Sequence, residues 1–197
     1  MNLIKPAATI HPRTEHADRD SAHPLPLGII VYDNGLKADE LLNLCAIDMA
    51  ALGFRLGGIV QSNRHRQGRR KCDMYLKDLL SGEEILISAD RGNEARGCRL
   101  DPAAFVRIGV WGDRALAEGV DLLILNKFGK EEAQGRGLRP LIAAALVAGT
   151  PVLIGVPRTN VDDFFAFISD AVRPLPFDRR AIATWCQNAI RAQTRRE

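Results

Sequence analysis

The chain has 197 residues, of which 46% are hydrophobic and 26% charged, and its formal net charge is +3. This composition is typical of a folded protein with a sizeable core, and no apolar run approaches the roughly 20 residues that a membrane-spanning helix needs. The N-terminal stretch also lacks the long apolar segment of a secretory signal. We therefore expect a cytoplasmic protein that does not insert into a membrane.

The first part of the chain, residues 1–25, is rich in proline, histidine, alanine and charge and has no sustained periodicity. This composition predicts a flexible N-terminal tail. The spacing of its histidines suits no fixed metal geometry. Residues 26–197 are predicted to form a single α/β domain.

The pattern becomes regular at residues 27–33, "LGIIVYD", which have the apolar, β-branched character of a buried parallel strand. Residues 37–54, "KADELLNLCAIDMAALGF", follow with an apolar helical face, and Cys45 falls on that face as a small core residue. Residues 55–63, "RLGGIVQSN", predict a second strand.

Residues 64–88 contain a basic run, two extended runs and a Ser-Gly turn, and they predict an antiparallel hairpin inserted into the sheet. The basic run, residues 64–71, is typical of a solvated surface; the alternative is a contact with nucleic acid or another anionic partner. Beyond residue 101, helical and strand patterns alternate. This order predicts a mostly parallel sheet flanked by helices.

The segment "DNGLKADELL", residues 33–42, has the strand–loop–helix order of a phosphate-binding loop. Such a loop uses a lysine to neutralise the phosphates and a Ser or Thr hydroxyl to hold Mg²⁺. When Gly35 is aligned with the inner glycine of that loop, Ala38 takes the lysine position and Asp39 the hydroxyl position, while Lys37 comes one residue early. The segment therefore predicts a degenerate Walker A motif.

The strand in "VDLLILNKFGKEE" ends with Asn126 and Lys127. In phosphate-loop enzymes the corresponding strand ends with an Asp, often followed by a Glu, that serves Mg²⁺ and the attacking water. An amide is a poor Mg²⁺ ligand in place of a carboxylate, and a lysine cannot act as a carboxylate base. This second motif is therefore degenerate as well.

Together these motifs resemble the small nucleoside-triphosphatase family of P-loop NTPases, over roughly residues 27–158. Gly129, Lys130 and Glu132 fit the family pattern Asp-Glu-Ile-Gly-Lys-Met-Glu at the end of that strand. The resemblance implies a P-loop NTPase-like fold. The departures at Ala38 and Asp39, and at the end of the strand, imply that the Mg²⁺–nucleotide apparatus is lost.

Four stretches are similar to a bacterial branch of that scaffold whose members often accompany molybdenum-transport genes. These stretches are "GIVQSN", "KCDMYLKDLLSG", "ISADRGNEARGCRLDPAAF" and "NKFGKEEAQGRGL". The resemblance implies a role in molybdenum handling by analogy only and supplies no mechanism.

The loops that follow parallel strands meet at one edge of a sheet, where ligands usually bind. The candidate ligand-binding residues at this edge are Asn34, Gly35, Lys37, Gln61, Asn63, Asn126, Lys127, Lys130, Glu132 and Arg158. An oxyanion such as phosphate or molybdate suits backbone N–H groups together with a lysine or arginine. The alternative is a salt-bridged rim in which these residues pair with neighbouring carboxylates.

Two further cysteines are candidate metal or redox residues. Cys98 lies between Arg96 and Arg99, which favours the thiolate, and Cys72 lies on the preceding hairpin. Two thiolates alone make an incomplete zinc site, and the alternative is two separate structural thiols.

Three functions follow from these observations. The first is a degenerate nucleotide-fold accessory protein, non-catalytic or weakly catalytic and with no assigned catalytic residue, which binds a small anion or a protein partner in molybdenum handling; molybdate and a nucleotide are its candidate ligands. The second is an active nucleoside triphosphatase in which Lys37 or Lys127 supplies the positive charge and Glu132 orients water. The third is an interaction module that uses the basic run for nucleic acid or protein. The sequence does not decide the oligomeric state.

Overall fold

A computed structural model describes residues 25–65, 72–88, 102–168 and 172–195 of the chain. The strands are β1 (Leu27–Tyr32), β2 (Leu56–Arg64), β3 (Asp73–Asp78), β4 (Glu84–Leu86), β5 (Leu122–Leu125) and β6 (Val152–Pro157). The helices are α1 (Gly35–Ala51), α2 (Pro102–Ala117), α3 (Lys130–Ala133), α4 (Arg139–Val147), α5 (Val161–Ile168) and α6 (Arg179–Thr194), and a 3-10 turn, Arg158–Asn160, follows β6. Residues 1–24 of the predicted tail, Cys98 and most of the basic run lie outside the described residues.

The strands form a six-stranded sheet in the order β1-β6-β5-β2-β3-β4. The first four strands of that order are parallel, whereas β3 runs antiparallel to both β2 and β4. The predicted fold class, a mostly parallel sheet with an inserted antiparallel hairpin, is therefore confirmed. The Ser81–Gly82 turn joins β3 to β4, and Gly82 adopts a φ of 77° there.

Helices cover both faces of the parallel strands, which is why these strands are apolar on both sides. On one face, α1 and α6 pack over Ile30 and Leu122. On the other face, α2, α4 and α5 pack over Ile29 and Leu123. Neighbouring residues of one strand thus enter opposite core clusters, as the alternation of a strand requires. None of the helices within the described residues is long and apolar enough to cross a bilayer.

The register of the sheet brings the carboxyl ends of its parallel strands together. Ile59 of β2 lies opposite Leu125 of β5, and Leu125 lies opposite Ile154 of β6. The residues that directly follow these positions therefore meet at one edge of the sheet, beside the N-terminus of α1. The candidate site lies at this edge.

Candidate functional site

A buried carboxylate, Asp39, lies at the centre of this edge. Asp39 is the fifth residue of α1, and only 8% of it is exposed. Its oxygens accept hydrogen bonds from Gln61 Nε2 at 3.1 Å, Asn63 Nδ2 at 2.8 Å and Asn126 Nδ2 at 3.0 Å. We call Gln61, Asn63 and Asn126 the amide cluster. Three amide donors thus converge on one carboxylate group, and an ionised carboxylate can accept all three because both of its oxygens are acceptors.

The amide cluster is also bonded internally and to the backbone. Asn126 Oδ1 accepts from the Gln61 backbone N–H at 3.2 Å, and Gln61 Nε2 also donates to Asn63 Oδ1 at 3.1 Å. Asn43, one turn further along α1, donates to the carbonyl oxygens of both Asp39 and Gln61, at 2.8 and 2.6 Å. These bonds tie α1 to β2 and hold the cluster in one arrangement.

Burial and hydrogen bonding have opposite effects on the carboxyl group of Asp39. Burial raises the pKa of Asp39, while the hydrogen bonds from Asn126 and Asn63 and the nearby charge of Lys127 act to lower it. Burial also raises the pKa of Tyr32 to about 12, and the negative charge of Asp39 adds to that increase. The position that holds a hydroxyl in a phosphate-binding loop thus carries a carboxylate, which opposes a triphosphate by charge repulsion.

The N-terminus of α1 is capped by its own chain. Asn34 is the N-cap, and its side-chain oxygen accepts from the Lys37 backbone N–H at 3.2 Å. Gly35 is the first helical residue, and the side chain of Lys37 is exposed. Asn34, Gly35 and Lys37 thus lie at the same edge as the amide cluster, as the sequence predicts. Their role as ligand-binding residues stays a prediction.

Arg158 lies at the rim of this edge rather than inside it. Its Nε is 2.8 Å from Asp33 Oδ1, and both side chains are largely exposed. This ion pair is the rim contact that the sequence offered as the alternative to ligand binding by Arg158. An exposed pair of this kind is weakly stabilising and leaves the arginine accessible.

Glu132 is held by the backbone of its own loop, and its predicted roles in binding a ligand or orienting water stay predictions. It is buried, and its two carboxylate oxygens accept from the backbone N–H groups of Gly129 at 2.8 Å and Leu138 at 2.9 Å. Gly137 has a φ of 61°, and a Cβ there would lie 2.1 Å from Glu132 Oε1. Glu132 therefore orders the loop that carries Lys127 and Lys130, and Gly137 leaves room for its side chain.

Two cavities flank the edge of the sheet. The larger, of about 470 Å³, is lined by Tyr32, Asn34 and Asp39 among others. The smaller, of about 200 Å³, lies on the α2 side. Gln61 and Lys127 line both cavities, and Lys127 is half-buried. Lys127 is therefore the cation best placed to meet a ligand from either side.

The structure adds residues that the sequence analysis did not select. The sequence places Asp39 at the hydroxyl position of the loop but does not predict its partners, and its side chain is directed at β2 and at the residue after β5. Asn43 and Tyr32 were not selected at all. A signal was present, because Asp39 and Asn43 are polar residues on the inward face of an otherwise apolar helix.

The cysteine predictions have mixed outcomes. Cys45 is fully buried, as predicted for a core residue, and Cys186 of α6 is fully buried as well. Cys72 is half-buried. Cys98 is not among the described residues, so the prediction that the two thiols approach each other stays a prediction. In the part of the chain that the structure covers, no group of three or more His, Cys, Asp or Glu side chains is arranged to hold a metal ion.

Comparison with known proteins supports the resemblance inferred from the sequence. A family model described as "Protein of unknown function (DUF2478)" matches residues 27–185. The molybdenum import ATP-binding protein ModC 2 of Bradyrhizobium diazoefficiens is 37% identical to this chain over 162 residues, which are 82% of this chain and 18% of that protein. The chain thus spans less than a fifth of that relative, whose name describes the whole protein.

The fold has a counterpart among solved structures. The solution structure of a human cancer-related nucleoside triphosphatase superposes with a TM-score of 0.52 and 15% sequence identity, over 84% of this chain and 95% of that one. A likeness at this identity concerns the fold alone. The P-loop NTPase-like fold is thereby confirmed. The chemistry at the edge of the sheet depends on the residues that this chain places there, because a shared fold does not imply a shared function.

Proposed function

The chain belongs to the DUF2478 family, and from that premise we propose that it is an accessory nucleotide-fold protein of molybdenum handling that binds a small anion and does not hydrolyse Mg²⁺–nucleoside triphosphates. The binding site in this proposal is the carboxyl edge of the parallel strands. Lys127 is the residue that pairs with the anion.

The observation that carries the proposal is the buried carboxylate of Asp39 inside the amide cluster. Amides and a lysine stand where a phosphate-loop enzyme needs acidic metal ligands, and a carboxylate stands where it needs a hydroxyl. Both N–H groups of the Gln61 amide and one each of Asn63 and Asn126 donate within the cluster. A triphosphate at this edge would therefore meet the carboxylate of Asp39 where it needs a hydroxyl.

The anion-binding part of the proposal is supported by Lys127. Its side chain lines both cavities, and within the described residues it forms no ion pair. Its charge lowers the pKa of Asp39, so the two groups are close enough to interact. The ammonium group of Lys127 is the group that would bind the anion, from the side away from Asp39.

The link to molybdenum is supported by the relative. A protein named for molybdenum import contains a segment 37% identical to this chain. The named activity belongs to a much longer protein, so we propose for this chain an accessory step, such as holding molybdate or presenting it to a partner, rather than the ATP-dependent step.

Titration calorimetry on the full chain tests the proposal. We expect molybdate to bind, and we expect neither tight Mg²⁺-dependent binding of ATP or GTP nor phosphate release above background. Lys127→Met should weaken molybdate binding about tenfold, which corresponds to about 1.4 kcal/mol. Lys77→Met, which removes an exposed lysine from β3, is the matched control and should leave binding unchanged.

Steady turnover of either nucleotide would overturn the non-hydrolytic part of the proposal and favour the triphosphatase alternative. If Lys127→Met and Lys77→Met weaken molybdate binding equally, the role of Lys127 is wrong, because the loss would then come from the lower net charge of the protein and not from a specific contact.

A further inference from the structure

The smaller cavity is lined mainly by apolar side chains, which would not contribute to binding a bare inorganic anion. It lies within the core cluster on the α2 side of the sheet. Its apolar walls are Ile59, Leu76, Ile87, Ala104, Ile108 and Leu138. Each of these side chains is at most 8% exposed. We call this space, of about 200 Å³, the apolar cavity.

The apolar cavity is open to the surface at the end where Lys130 is exposed, so its apolar walls are accessible to a ligand. Sites for small ligands combine apolar walls with a few convergent polar groups. The apolar cavity fits that description.

The polar end of the apolar cavity is positively charged. Lys127 and Lys130 both line it, and neither makes an ion pair with any described residue. The two carboxylates beside them are already engaged. Glu131 pairs with Arg136 at 2.9 Å, and Glu132 accepts from two backbone N–H groups. Asp39, whose charge interacts with that of Lys127, lines the larger cavity and not this one. The cations that a ligand meets in the apolar cavity are therefore the two lysines.

From these walls and this charge we infer that the apolar cavity binds a small organic anion, with its ring or branched aliphatic body between the sheet and α2 and its carboxylate or other oxyanion group at Lys127 and Lys130. The inference rests on the proposed function, because it assigns the anion to the same Lys127, and it adds an apolar body to that anion.

Ligand-observed and methyl NMR on the full chain test the inference with three probes: benzoate, benzamide and molybdate. Benzoate has both the ring and the charge, benzamide has only the ring, and molybdate has only the charge. We expect benzoate to bind about tenfold more tightly than benzamide, which is the effect of one added ion pair of about 1.4 kcal/mol. Benzoate should shift the methyl signals of Ile59, Ile87 and Ile108.

A pair of substitutions on α2 separates the cavity from general effects. Ala104 lines the apolar cavity, whereas Ala117 is exposed at the end of the same helix. Ala104→Leu should fill the space, abolish benzoate binding and leave the unfolding midpoint at or above that of the wild type. Ala117→Leu should leave benzoate binding unchanged.

The outcomes distinguish this inference from the proposed function. If molybdate binds through Lys127 but benzoate does not bind, or binds equally in Ala104→Leu, the inference is wrong and the proposed function stands. Equal affinity for benzoate and benzamide also overturns the inference. If neither anion binds, both fail. Should Ala104→Leu not fold, the methyl shifts in the wild-type protein decide: shifts confined to residues outside the cavity overturn the inference.

Discussion

Asp39 shows how a single residue decides the chemistry of this edge. Its carboxylate is buried at the start of α1 and receives three amide donors from β2 and from the residue after β5. Unpaired ionised groups in such positions are costly, and hydrogen bonds to the charged form reduce that cost. The amide cluster is the arrangement that allows the carboxylate to remain there.

Burial of Asp39 predicts a specific pH dependence of stability. Its pKa is raised in the folded protein above the ordinary 3.8, so the folded state binds more protons than the unfolded state in the interval above 3.8. The wild type therefore loses free energy of unfolding as pH rises through that interval. In Asp39→Asn this loss is absent, so the stability of the variant relative to the wild type should increase with pH and then level off. Urea unfolding between pH 3 and 7 measures it.

Asp48 provides a control of opposite sign. Its hydrogen bonds to Arg179, at 2.5 and 2.7 Å, lower its pKa below 3.8. Asp48 therefore stabilises the protein above the unfolded pKa, and this contribution is lost as pH falls through the folded pKa. Asp48→Asn should become less stable relative to the wild type as pH rises. Parallel pH profiles for the two variants would contradict our account of the Asp39 environment.

At the scale of elements, the loop between β5 and α4 depends on Glu132. Its side chain receives the N–H groups of Gly129 and Leu138. Glu132→Ala leaves both donors without that acceptor, and we expect a loss of about 2–4 kcal/mol in the free energy of unfolding. The adjacent Glu131 makes only a surface ion pair with Arg136, so Glu131→Ala should cost about 0–1 kcal/mol. Urea unfolding compares the two, and equal losses would contradict the assigned role of Glu132.

Helix α2 contains two glycines whose surroundings differ. A Cβ on Gly109 would meet no atom within 4 Å, whereas a Cβ on Gly112 would lie 2.3 Å from Leu141 Cδ2. Gly109→Ala should stabilise the protein by about 0.5–1 kcal/mol, because alanine is the better helix former. Gly112→Ala should destabilise it by about 1–3 kcal/mol through overpacking against α4. Thermal and urea unfolding measure both, and the same sign for the two variants would contradict the described α2–α4 packing.

At the scale of the whole molecule, the buried cysteines report on global unfolding. Burial raises the pKa of Cys45 to about 11 and that of Cys186 to about 12, so little thiolate forms near neutral pH. We expect iodoacetamide at pH 8 to alkylate Cys72 in the native protein, and to alkylate Cys45 and Cys186 only when urea unfolds the chain. Peptide mass spectrometry reads each site separately. Rapid native labelling of Cys186 would show that α6 detaches from the sheet.

Much of the fold could be predicted from local patterns, because each element carries its own signal. The apolar run of β5 and the alternation of helices and strands indicated a mostly parallel sheet, and the Ser81–Gly82 turn indicated the antiparallel insertion. Family membership was also predictable, since the motifs that carry the resemblance lie within the matched residues 27–185. These predictions succeed because hydrophobic period and turn chemistry act over a few neighbouring residues.

The site could be located from the sequence but not assembled. The principle that loops after parallel strands share an edge placed Gln61, Asn63 and Asn126 together. It did not show that these side chains surround Asp39, because a hydrogen bond between residues 87 positions apart depends on the register of β2 and β5. The hydrogen bonds of Glu132 are local, to residues three and six positions away, but no sequence pattern shows that the side chain fits because Gly137 has no Cβ.

The sequence by itself determined the order of the elements and the family. It also determined that Ala38 replaces the phosphate-loop lysine and that Asn126 and Lys127 replace the acidic pair. These are properties of residue types at fixed spacing. Only the tertiary structure decided that Asp39 is held by the amide cluster, that Lys127 lines two cavities and that one of these is apolar. The physical reason is that burial, charge pairing and empty space arise between elements distant in the chain and have no local signature.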